Sequence, residues 1–306
     1  IRDQPRSRGL GDVYKRQIRE FLHQKEFIEI VTPKIVSAGV EGGANQFVVD
    51  YFGEKKMLSQ SPQLYKETMA CILLGNVFEI GPAFRAEKSD TPYHLNEFTS
   101  VDVEICFPEG LYSLMDLLEE MIRFILERLR SHEETLIRLG VSEGILQINK
   151  RIMRLHYKDA MDIILKKTGM SRVRWAGITK EGEKILCEYA QESTGIPAVF
   201  VHHYPRKERP FYTLPHDEKF SESFDLLINN IEVASGGLRV WRKDQMLESM
   251  QYHKINPKLF RWFFKLVSCG MPPHGGFGMG LERFMVSALG LRNVREVNLF
   301  PRTLSV

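Results

Sequence analysis

The sequence predicts an α+β domain in which helices pack against a mostly antiparallel sheet. Strand-like runs follow one another through loops in residues 78–104 and 223–241, which is typical of hairpins rather than of parallel crossovers. Residues 110–136 carry apolar side chains at helical spacing, beginning with Leu114, Leu117 and Leu118. The chain has 306 residues, of which 43% are hydrophobic, so it contains enough apolar material for a large core.

The N-terminal half is predicted to alternate between short strands and helices. Residues 1–17 lack periodicity, and we expect them to be a non-native or disordered tail that precedes a domain of residues 18–306. A helix is predicted from Ile18, and a β-branched strand follows in FIEIVTPKI, where Pro33 ends or kinks it. The next predicted elements are a glycine-rich turn, a strand and a short hairpin in 41–62, a helix in 63–75, and two strands in 78–104.

The C-terminal half repeats this mixture after the long helix of 110–136. The predicted elements are shorter helices in 150–195, strands in 197–205 and 210–215, two strands around an Asn-Asn turn in 223–241, helices in 244–255 and 257–270, and a glycine-rich strand that runs into a helix in 275–290.

The composition excludes a membrane-spanning protein and gives no bulk signal for nucleic acid. The 42 basic and 39 acidic residues leave a net charge of +3, so contact with nucleic acid would need local basic patches. No apolar run reaches the length of a membrane span. The four cysteines lie neither in C-x-x-C pairs nor at zinc-ligand spacing from histidines, which favours reduced thiols in a cytoplasmic protein.

The hairpin of residues 78–104 carries the first candidate site. Arg85 closes its first strand and Phe98 opens its second. A guanidinium at a strand end suits a phosphate or carboxylate, and an aromatic ring opposite it suits a purine. The alternative is an ordinary hairpin with a solvated tip and one core phenylalanine.

The stretch GGFGMGLERF adds a second arginine, Arg283, at the start of a helix. Its glycines at 275, 276, 278 and 280 leave a strand surface on which a flat ring could lie, so a purine between Phe98 and Arg283 would complete an ATP site. The alternative is close packing of strand and helix, and the glycines alone are a weak dinucleotide signal.

Two carboxylates in FDLLINNIEVASGGLR form the third candidate site. Asp225 and Glu232 are seven residues apart, and a hairpin could bring them side by side. Facing carboxylates repel unless a cation neutralises them, and their hard oxygens suit Mg²⁺ carried with a triphosphate. The alternative is a pair of ordinary acidic residues at strand ends.

Together these segments resemble the class II aminoacyl-tRNA synthetases, in particular the aspartyl enzymes of the archaeal and eukaryotic type. The resemblance covers about residues 18–302: FIEIVTPKI is similar to motif 1, FRAE…HLNEF to motif 2 and GMGLERF to motif 3. EGGANQF, LSQSPQLYKE, RPFYTLP, MPPHGGFG and LFPR match between and after them. The resemblance implies the class II synthetase fold, with a mostly antiparallel sheet of six to seven strands flanked by helices.

The resemblance also implies ATP-dependent activation of aspartate and its transfer to the 3′ end of tRNA. Arg85 and Arg283 would be the catalytic residues. The ATP-binding residues would be Arg85 on the α-phosphate, Glu87 at the adenine edge, Phe98 and Arg283 on the two adenine faces, His94 near the outer phosphates, and Glu232, which with Asp225 would hold Mg²⁺. The loop of residues 86–97 would face the tRNA acceptor end.

Other matched positions imply the amino-acid pocket and the assembly. Lys66 and Arg239 would bind the aspartate side chain, and Asp102 would bind the α-ammonium group with Glu41. The remaining implied pocket residues are Ser61, Gln63 and Ser235. Motif 1 around Pro33 implies a homodimer.

The sequence departs from the aspartyl pattern in several places. The segment GGLRVWR has Leu238 and Trp241 where the family usually has Gln and His, and Tyr93 and VHHYP also depart from it. No OB-fold anticodon-binding domain of the kind aspartyl enzymes carry precedes Ile18 in this sequence, so we expect either a fragment, which the tail favours, or a stand-alone paralogue. The alternatives are an asparaginyl-tRNA synthetase, a synthetase-like asparagine synthetase, and a non-catalytic paralogue that binds tRNA or protein.

Overall fold

The computed structural model describes residues 10–37, 46–88, 91–131, 133–138, 146–169 and 177–304. The helices in these ranges are α1 (Leu10–Gln24), α2 (Gln63–Leu73), α3 (Leu111–Arg130), α4 (Glu133–Arg138), α5 (Tyr157–Thr168), α6 (Lys180–Thr194), α7 (Lys243–Tyr252), α8 (Arg261–Cys269) and α9 (Leu281–Leu289). The strands are β1 (Ile28–Glu29), β2 (Ile35–Val36), β3 (Val48–Tyr51), β4 (Glu54–Leu58), β5 (Val77–Phe84), β6 (Glu97–Cys106), β7 (Met153–His156), β8 (Ala198–His202), β9 (Ser223–Ile228), β10 (Ile231–Leu238) and β11 (His274–Gly280).

An eight-stranded sheet forms the centre of the fold, in the order β1-β5-β6-β11-β10-β9-β8-β7. The inner strands pair antiparallel, and only the two edge pairs, β1 with β5 and β7 with β8, are parallel. The predicted α+β class is confirmed, with one strand more than the expected six to seven. The strand β7 lies in the range 150–195, which was predicted to be helical. Its four residues are too few for an alternating pattern to stand out.

The long helix α3 covers one face of this sheet, as its apolar spacing predicted. Leu114, Leu118, Met121 and Ile125 are fully buried in the main core. Helix α1 packs beside α3 and buries Tyr14, whose ring meets that of Phe284 edge-on with centroids 5.9 Å apart. The expectation that folded structure begins at Ile18 is therefore wrong for residues 10–17, because α1 begins at Leu10 and contributes to the core.

The hairpin of β9 and β10 turns at Asn229 and Asn230, as predicted. Both residues have positive φ, 47° and 68°, which is the conformation of a type I′ turn and one that asparagine tolerates. This turn pairs Leu227 with Glu232, and a β-bulge between Glu232 and Ala234 then shifts the register so that Asp225 faces Ser235. The two acidic residues of the third candidate site therefore lie on neighbouring strands.

Two predicted strands are shorter or absent in the structure. FIEIVTPKI forms two separate two-residue strands, β1 and β2, which belong to different sheets: β2 joins a three-stranded sheet of order β2-β4-β3. PFYTLP in 210–215 makes only isolated bridges, from Thr213 to Arg239 and from Pro215 to Ser221. Proline has no N–H to donate to a ladder, which explains why both segments leave regular pairing.

Candidate active site

A cleft of about 370 Å³ lies over the middle of the large sheet. Its base is formed by alternate residues of β6 and by the paired segments of β10 and β11. Its walls come from the start of α2, Arg85, Glu87, residues 93–95, residues 208–213 and the start of α9. Successive side chains of a strand point to opposite faces, so Phe98, Ser100 and Asp102 on β6 share the face that lines the cleft.

The predicted nucleotide-binding residues come together at one end of this cleft. All six line it: Arg85, Glu87, His94, Phe98, Glu232 and Arg283. The backbone N–H of Arg85 donates to the carbonyl of Asn96 at 2.9 Å, and the Asn96 amide donates to the carbonyls of Arg85 at 2.9 Å and Glu87 at 3.2 Å. These bonds hold the two lips of the β5–β6 hairpin together.

Both arginines have fixed positions in the structure. The Arg85 guanidinium carbon lies 5.3 Å from the centre of the Phe98 ring, a cation–π contact. Arg283 donates from Nε to the Tyr93 carbonyl at 3.1 Å and from Nη1 to the Glu232 carbonyl at 3.4 Å. The binding of adenine between Phe98 and Arg283 stays a prediction, because in this structure the Arg85 guanidinium lies over the Phe98 ring.

His94 Nε2 lies 3.3 Å from Glu87 Oε2, and its Nδ1 hydrogen-bonds the Thr91 hydroxyl. Burial and the nearby Arg283 charge lower the pKa of His94, although Glu87 opposes this. The lowered pKa favours the neutral imidazole, which would meet a phosphate as a hydrogen-bond partner rather than as a full charge.

The glycines of β11 differ in how much space surrounds them. A Cβ at Gly276 would lie 2.0 Å from the Val103 carbonyl oxygen, so this glycine is required by close strand packing. Gly278 and Gly280 line the cleft, where a Cβ would meet only Asp102 at 3.3 Å and Arg283 at 3.8 Å. The open floor needed for a flat ring is thus limited to these two positions.

A buried charge network, the floor network, lies at the other end of the cleft and consists of Lys66, Asp102, Glu104 and Arg239. Lys66 Nζ is 2.9 Å from Asp102 Oδ1 and 3.6 Å from Glu104 Oε2. Arg239 Nε donates to Glu104 Oε1 at 2.9 Å, and its Nη2 donates to Oε2 at 3.2 Å. Formal charges within the floor network cancel, two positive against two negative.

The two cations of the floor network differ in their access to the cleft. Lys66 is fully buried and also donates to the Phe277 carbonyl at 3.1 Å, so it lies beneath the cleft rather than in its wall. Arg239 lines the cleft. Burial lowers the pKa of Arg239, but the charge and hydrogen bonds of Glu104 raise it by more, so the pKa lies above its usual value. Its Nη1 is the guanidinium nitrogen that stays outside the pair with Glu104.

The remaining predicted amino-acid-binding residues are distributed around this end. Ser61, Gln63, Asp102 and Ser235 line the cleft. Gln63 donates from Nε2 to Glu67 Oε1 at 2.7 Å, which anchors its amide. The predicted residue Glu41 lies outside the described residues.

Asp225 has a partner that the sequence analysis did not assign. Arg209 donates from Nη1 to Asp225 Oδ1 at 2.9 Å and from Nη2 to Oδ2 at 2.6 Å, and also from Nη1 to the Ser235 hydroxyl at 3.0 Å. Its guanidinium lies 3.8 Å from the centre of the Tyr204 ring. The role of Asp225 as a metal ligand stays a prediction, because Arg209 donates a hydrogen bond to each of its carboxylate oxygens. The matched segment RPFYTLP begins with Arg209 and was the sequence feature that could have pointed to this residue.

Glu232 is the carboxylate that faces the cleft. Burial and the neighbouring Asp225 charge raise its pKa, and Arg283 and Arg209 oppose this. In the part of the chain that the structure describes, no side-chain hydrogen bond or ion pair to its carboxylate is seen. A carboxylate that lies beside a second carboxylate and faces a cleft lined by arginines fits a hard divalent cation such as Mg²⁺.

Comparison with known proteins gives a consistent family. The model of the tRNA synthetases class II (D, K and N) matches residues 12–304. An aspartate–tRNA(Asp) ligase of Pyrococcus horikoshii is 43% identical over 291 residues, which is 94% of this chain and 66% of that protein. An aspartate–tRNA(Asp/Asn) ligase of Thermus thermophilus is 40% identical over 287 residues, 94% of this chain and 67% of that protein.

Solved structures agree with this. An asparaginyl-tRNA synthetase of Pyrococcus horikoshii, complexed with asparaginyl-adenylate, superimposes with a TM-score of 0.90 at 29% identity and covers 99% of this chain and 69% of its own. An aspartyl-tRNA synthetase of Entamoeba histolytica superimposes with a TM-score of 0.85 at 28% identity, and the match covers 97% of this chain and 58% of that one. The chain spans about two thirds of the length of the curated relatives it matches.

Proposed function

We infer from its membership of the class II tRNA synthetases (D, K and N) that this chain activates aspartate with ATP and transfers it to the 3′ end of tRNA. One observation carries this proposal: a single cleft has Arg85 and Arg283 at one end and the floor network, with Arg239, at the other. The distribution suits a triphosphate and an amino acid that meet in the middle. We assign this chemistry to the catalytic domain that the described residues form.

The first step would be an in-line displacement. An oxygen of the aspartate α-carboxylate forms a bond to the α-phosphorus of ATP, the bond from that phosphorus to the bridging oxygen breaks, and pyrophosphate leaves with the electron pair. Arg85 would stabilise the charge that develops on the α-phosphate, and Arg283 would bind the nucleotide. No protein nucleophile is needed, because positioning and electrostatic stabilisation provide the rate enhancement.

The second step would transfer the aspartyl group to tRNA. A hydroxyl of the terminal ribose attacks the carbonyl carbon of the aspartyl-adenylate, and AMP leaves. Arg85, Glu87 and residues 93–95 border the cleft, and Asn96 hydrogen-bonds the carbonyls of Arg85 and Glu87. This position at the cleft entrance and the family support a contact with the acceptor end.

Mg²⁺ fits the carboxylate of Glu232, and Asp225 would share it if Arg209 yields an oxygen. When bound, the ion would neutralise charge on the phosphates of ATP. Arg283 would contact the phosphate groups, and its hydrogen bond from Nη1 to the Glu232 carbonyl holds the guanidinium beside the carboxylate that would hold the ion.

Asparagine is the second candidate substrate, and the floor network is the observation that favours considering it. Its charges cancel, so it presents less positive potential to a carboxylate than Lys66 and Arg239 alone would. Aspartate remains our proposal because Arg239 lines the cleft and keeps Nη1 outside the pair with Glu104. A guanidinium N–H donates to a carboxylate with charge assistance, which an amide does not provide.

Charging of tRNA tests the whole proposal. Purified chain, ATP, Mg²⁺ and an aspartate tRNA transcript would be incubated with radiolabelled aspartate or, in parallel, labelled asparagine. We expect acid-precipitable label from aspartate alone. Label from asparagine alone would assign the asparaginyl activity, and no label from either, with a folded protein, would contradict the proposal.

We also propose a homodimer through the motif 1 region. Val31 is 91% exposed, and Ile28 and Ile35 are about half exposed, on both sides of Pro33. Exposed apolar side chains grouped in this way are typical of interaction surfaces. Light scattering of the wild type and of Val31→Asp tests it: we expect a dimer for the former and dissociation for the latter. A monomeric wild type would contradict it.

A further inference from the structure

A cluster of imidazoles lies outside the active cleft, where the chain leaves β8 and returns to β9. It contains His156, His202, His203 and His216, and the carboxylate of Glu222 joins it. His203 Nε2 is 3.6 Å from Glu222 Oε2, and His216 Nδ1 is 2.6 Å from Glu222 Oε1. The proposed aminoacylation uses none of these residues.

Three of these residues have the geometry of a metal-binding set. One ligand atom each from His203, His216 and Glu222 lies within 4.8 Å of the other two. Zinc binds imidazole nitrogen and carboxylate oxygen at about 2.0–2.2 Å, so its ligand atoms lie a little closer together than this. His216 is half exposed and Glu222 is partly exposed, so small side-chain rotations would close the set and solvent could supply a fourth ligand.

The surroundings of His203 fit a metal ligand. Its Nδ1 is 2.5 Å from Nδ1 of His202, whose Nε2 is 3.4 Å from the Tyr112 hydroxyl. If His203 donates from Nδ1, its Nε2 carries no proton and faces Glu222, and His202 can donate onward to the Tyr112 oxygen. Metal-bound histidines generally donate their other ring nitrogen to such a partner, which fixes the tautomer.

The backbone of His203 is also unusual. Its φ is +57°, a left-handed conformation that is strained for a non-glycine residue. The ring of His156 stacks on that of His203, with centroids 5.3 Å apart and planes 21° from parallel, and holds the imidazole in place. The strained backbone thus aims Nε2 at Glu222 and His216 rather than along the sheet.

We propose that His203, His216 and Glu222 bind a divalent transition metal of the zinc class. His203 and Glu222 flank the segment 204–221, and His216 lies within it. The two ends of this segment already pair through the bridge from Pro205 to Phe220. This segment carries Arg209, which lines the active cleft. The ion would be structural, fastening both ends of the segment. Imidazole ligands favour zinc over Mg²⁺, which prefers oxygen ligands.

Titration calorimetry of the whole chain tests the proposal, without ATP or amino acid, so that its outcome is independent of the proposed activity. Chelator-treated protein would be titrated with ZnCl₂ and, separately, with MgCl₂. We expect one equivalent of zinc, no magnesium signal at this site, and a higher midpoint of thermal unfolding with zinc.

Two conservative variants, His216→Gln and Glu222→Gln, locate the site, and His23→Gln at an exposed histidine elsewhere is the matched control. Each of the two variants should weaken zinc binding by more than the roughly 10–100-fold that loss of an outer-shell partner costs. The control should bind as the wild type does. Both variants replace partly exposed side chains and should fold. No zinc uptake by the wild type, or equal uptake by all four proteins, would overturn the proposal.

Discussion

The pair of Arg239 and Glu104 makes the floor network directly testable. Both side chains are almost fully buried, and they share two hydrogen bonds. Removing one member of a buried ion pair leaves an uncompensated charge, which costs about 3–5 kcal/mol. We therefore expect Arg239→Gln and Glu104→Gln each to lower the free energy of unfolding substantially.

The structure also predicts which variant is worse. In Arg239→Gln, Glu104 keeps the Lys66 ammonium at 3.6 Å, so the cost should be near the lower limit, about 3 kcal/mol. In Glu104→Gln, Arg239 has no other carboxylate within ion-pair distance among the described residues, and the cost should approach about 5 kcal/mol. The double variant removes both charges and should cost at least about 2 kcal/mol less than the sum of the two.

Urea unfolding of the four proteins measures these differences. The control is the exposed pair of Arg16 and Asp12, with side chains 79% and 65% exposed, where the same cycle should give a coupling of about 0.3–0.5 kcal/mol. Additive effects at Arg239 and Glu104, or a smaller cost for Glu104→Gln than for Arg239→Gln, would refute the interpretation of the floor network.

Three further outcomes follow, two from the cleft and one from the buried pair of His274 and Glu67. Arg85→Ala should lower the rate of adenylate formation about 10²–10³-fold with normal unfolding by urea, because it removes a stabiliser of the transition-state charge; a near-normal rate of pyrophosphate exchange would exclude that role. Glu232→Gln should raise the Mg²⁺ concentration needed for half-maximal exchange, and an unchanged requirement would remove Glu232 from the metal site. Burial lowers the pKa of His274, but the hydrogen bond and charge of Glu67 raise it by more, so the pKa in the folded protein lies above its usual value. The stabilisation from the protonated imidazole is therefore present below about pH 6.5 and is lost as the pH rises through the raised pKa. The wild type should therefore lose stability with rising pH in urea titrations more steeply than His274→Gln, and parallel pH curves would contradict this.

Local patterns predicted those parts of the fold that depend on nearby residues. The apolar stripe of α3 and the Asn229–Asn230 turn were readable because helix period and turn chemistry act over a few residues. The β5–β6 hairpin placed Arg85 and Phe98 as expected. Strand β7 was missed because its edge position leaves all four residues only partly buried.

The pairings between distant segments could not be predicted. Arg239 and Glu104 are separated by 135 residues and meet only because β11 lies between β6 and β10. Arg209 reaches Asp225 from an irregular segment with no period of its own. The imidazole cluster likewise depends on the return of the chain from β8 to β9, so spacing along the sequence does not reveal it.

The most direct test of the proposed function is ATP–pyrophosphate exchange without tRNA, measured with aspartate and with asparagine side by side. We expect exchange that depends on aspartate and is absent with asparagine. Exchange with asparagine alone, or with neither amino acid in a folded protein, would contradict it.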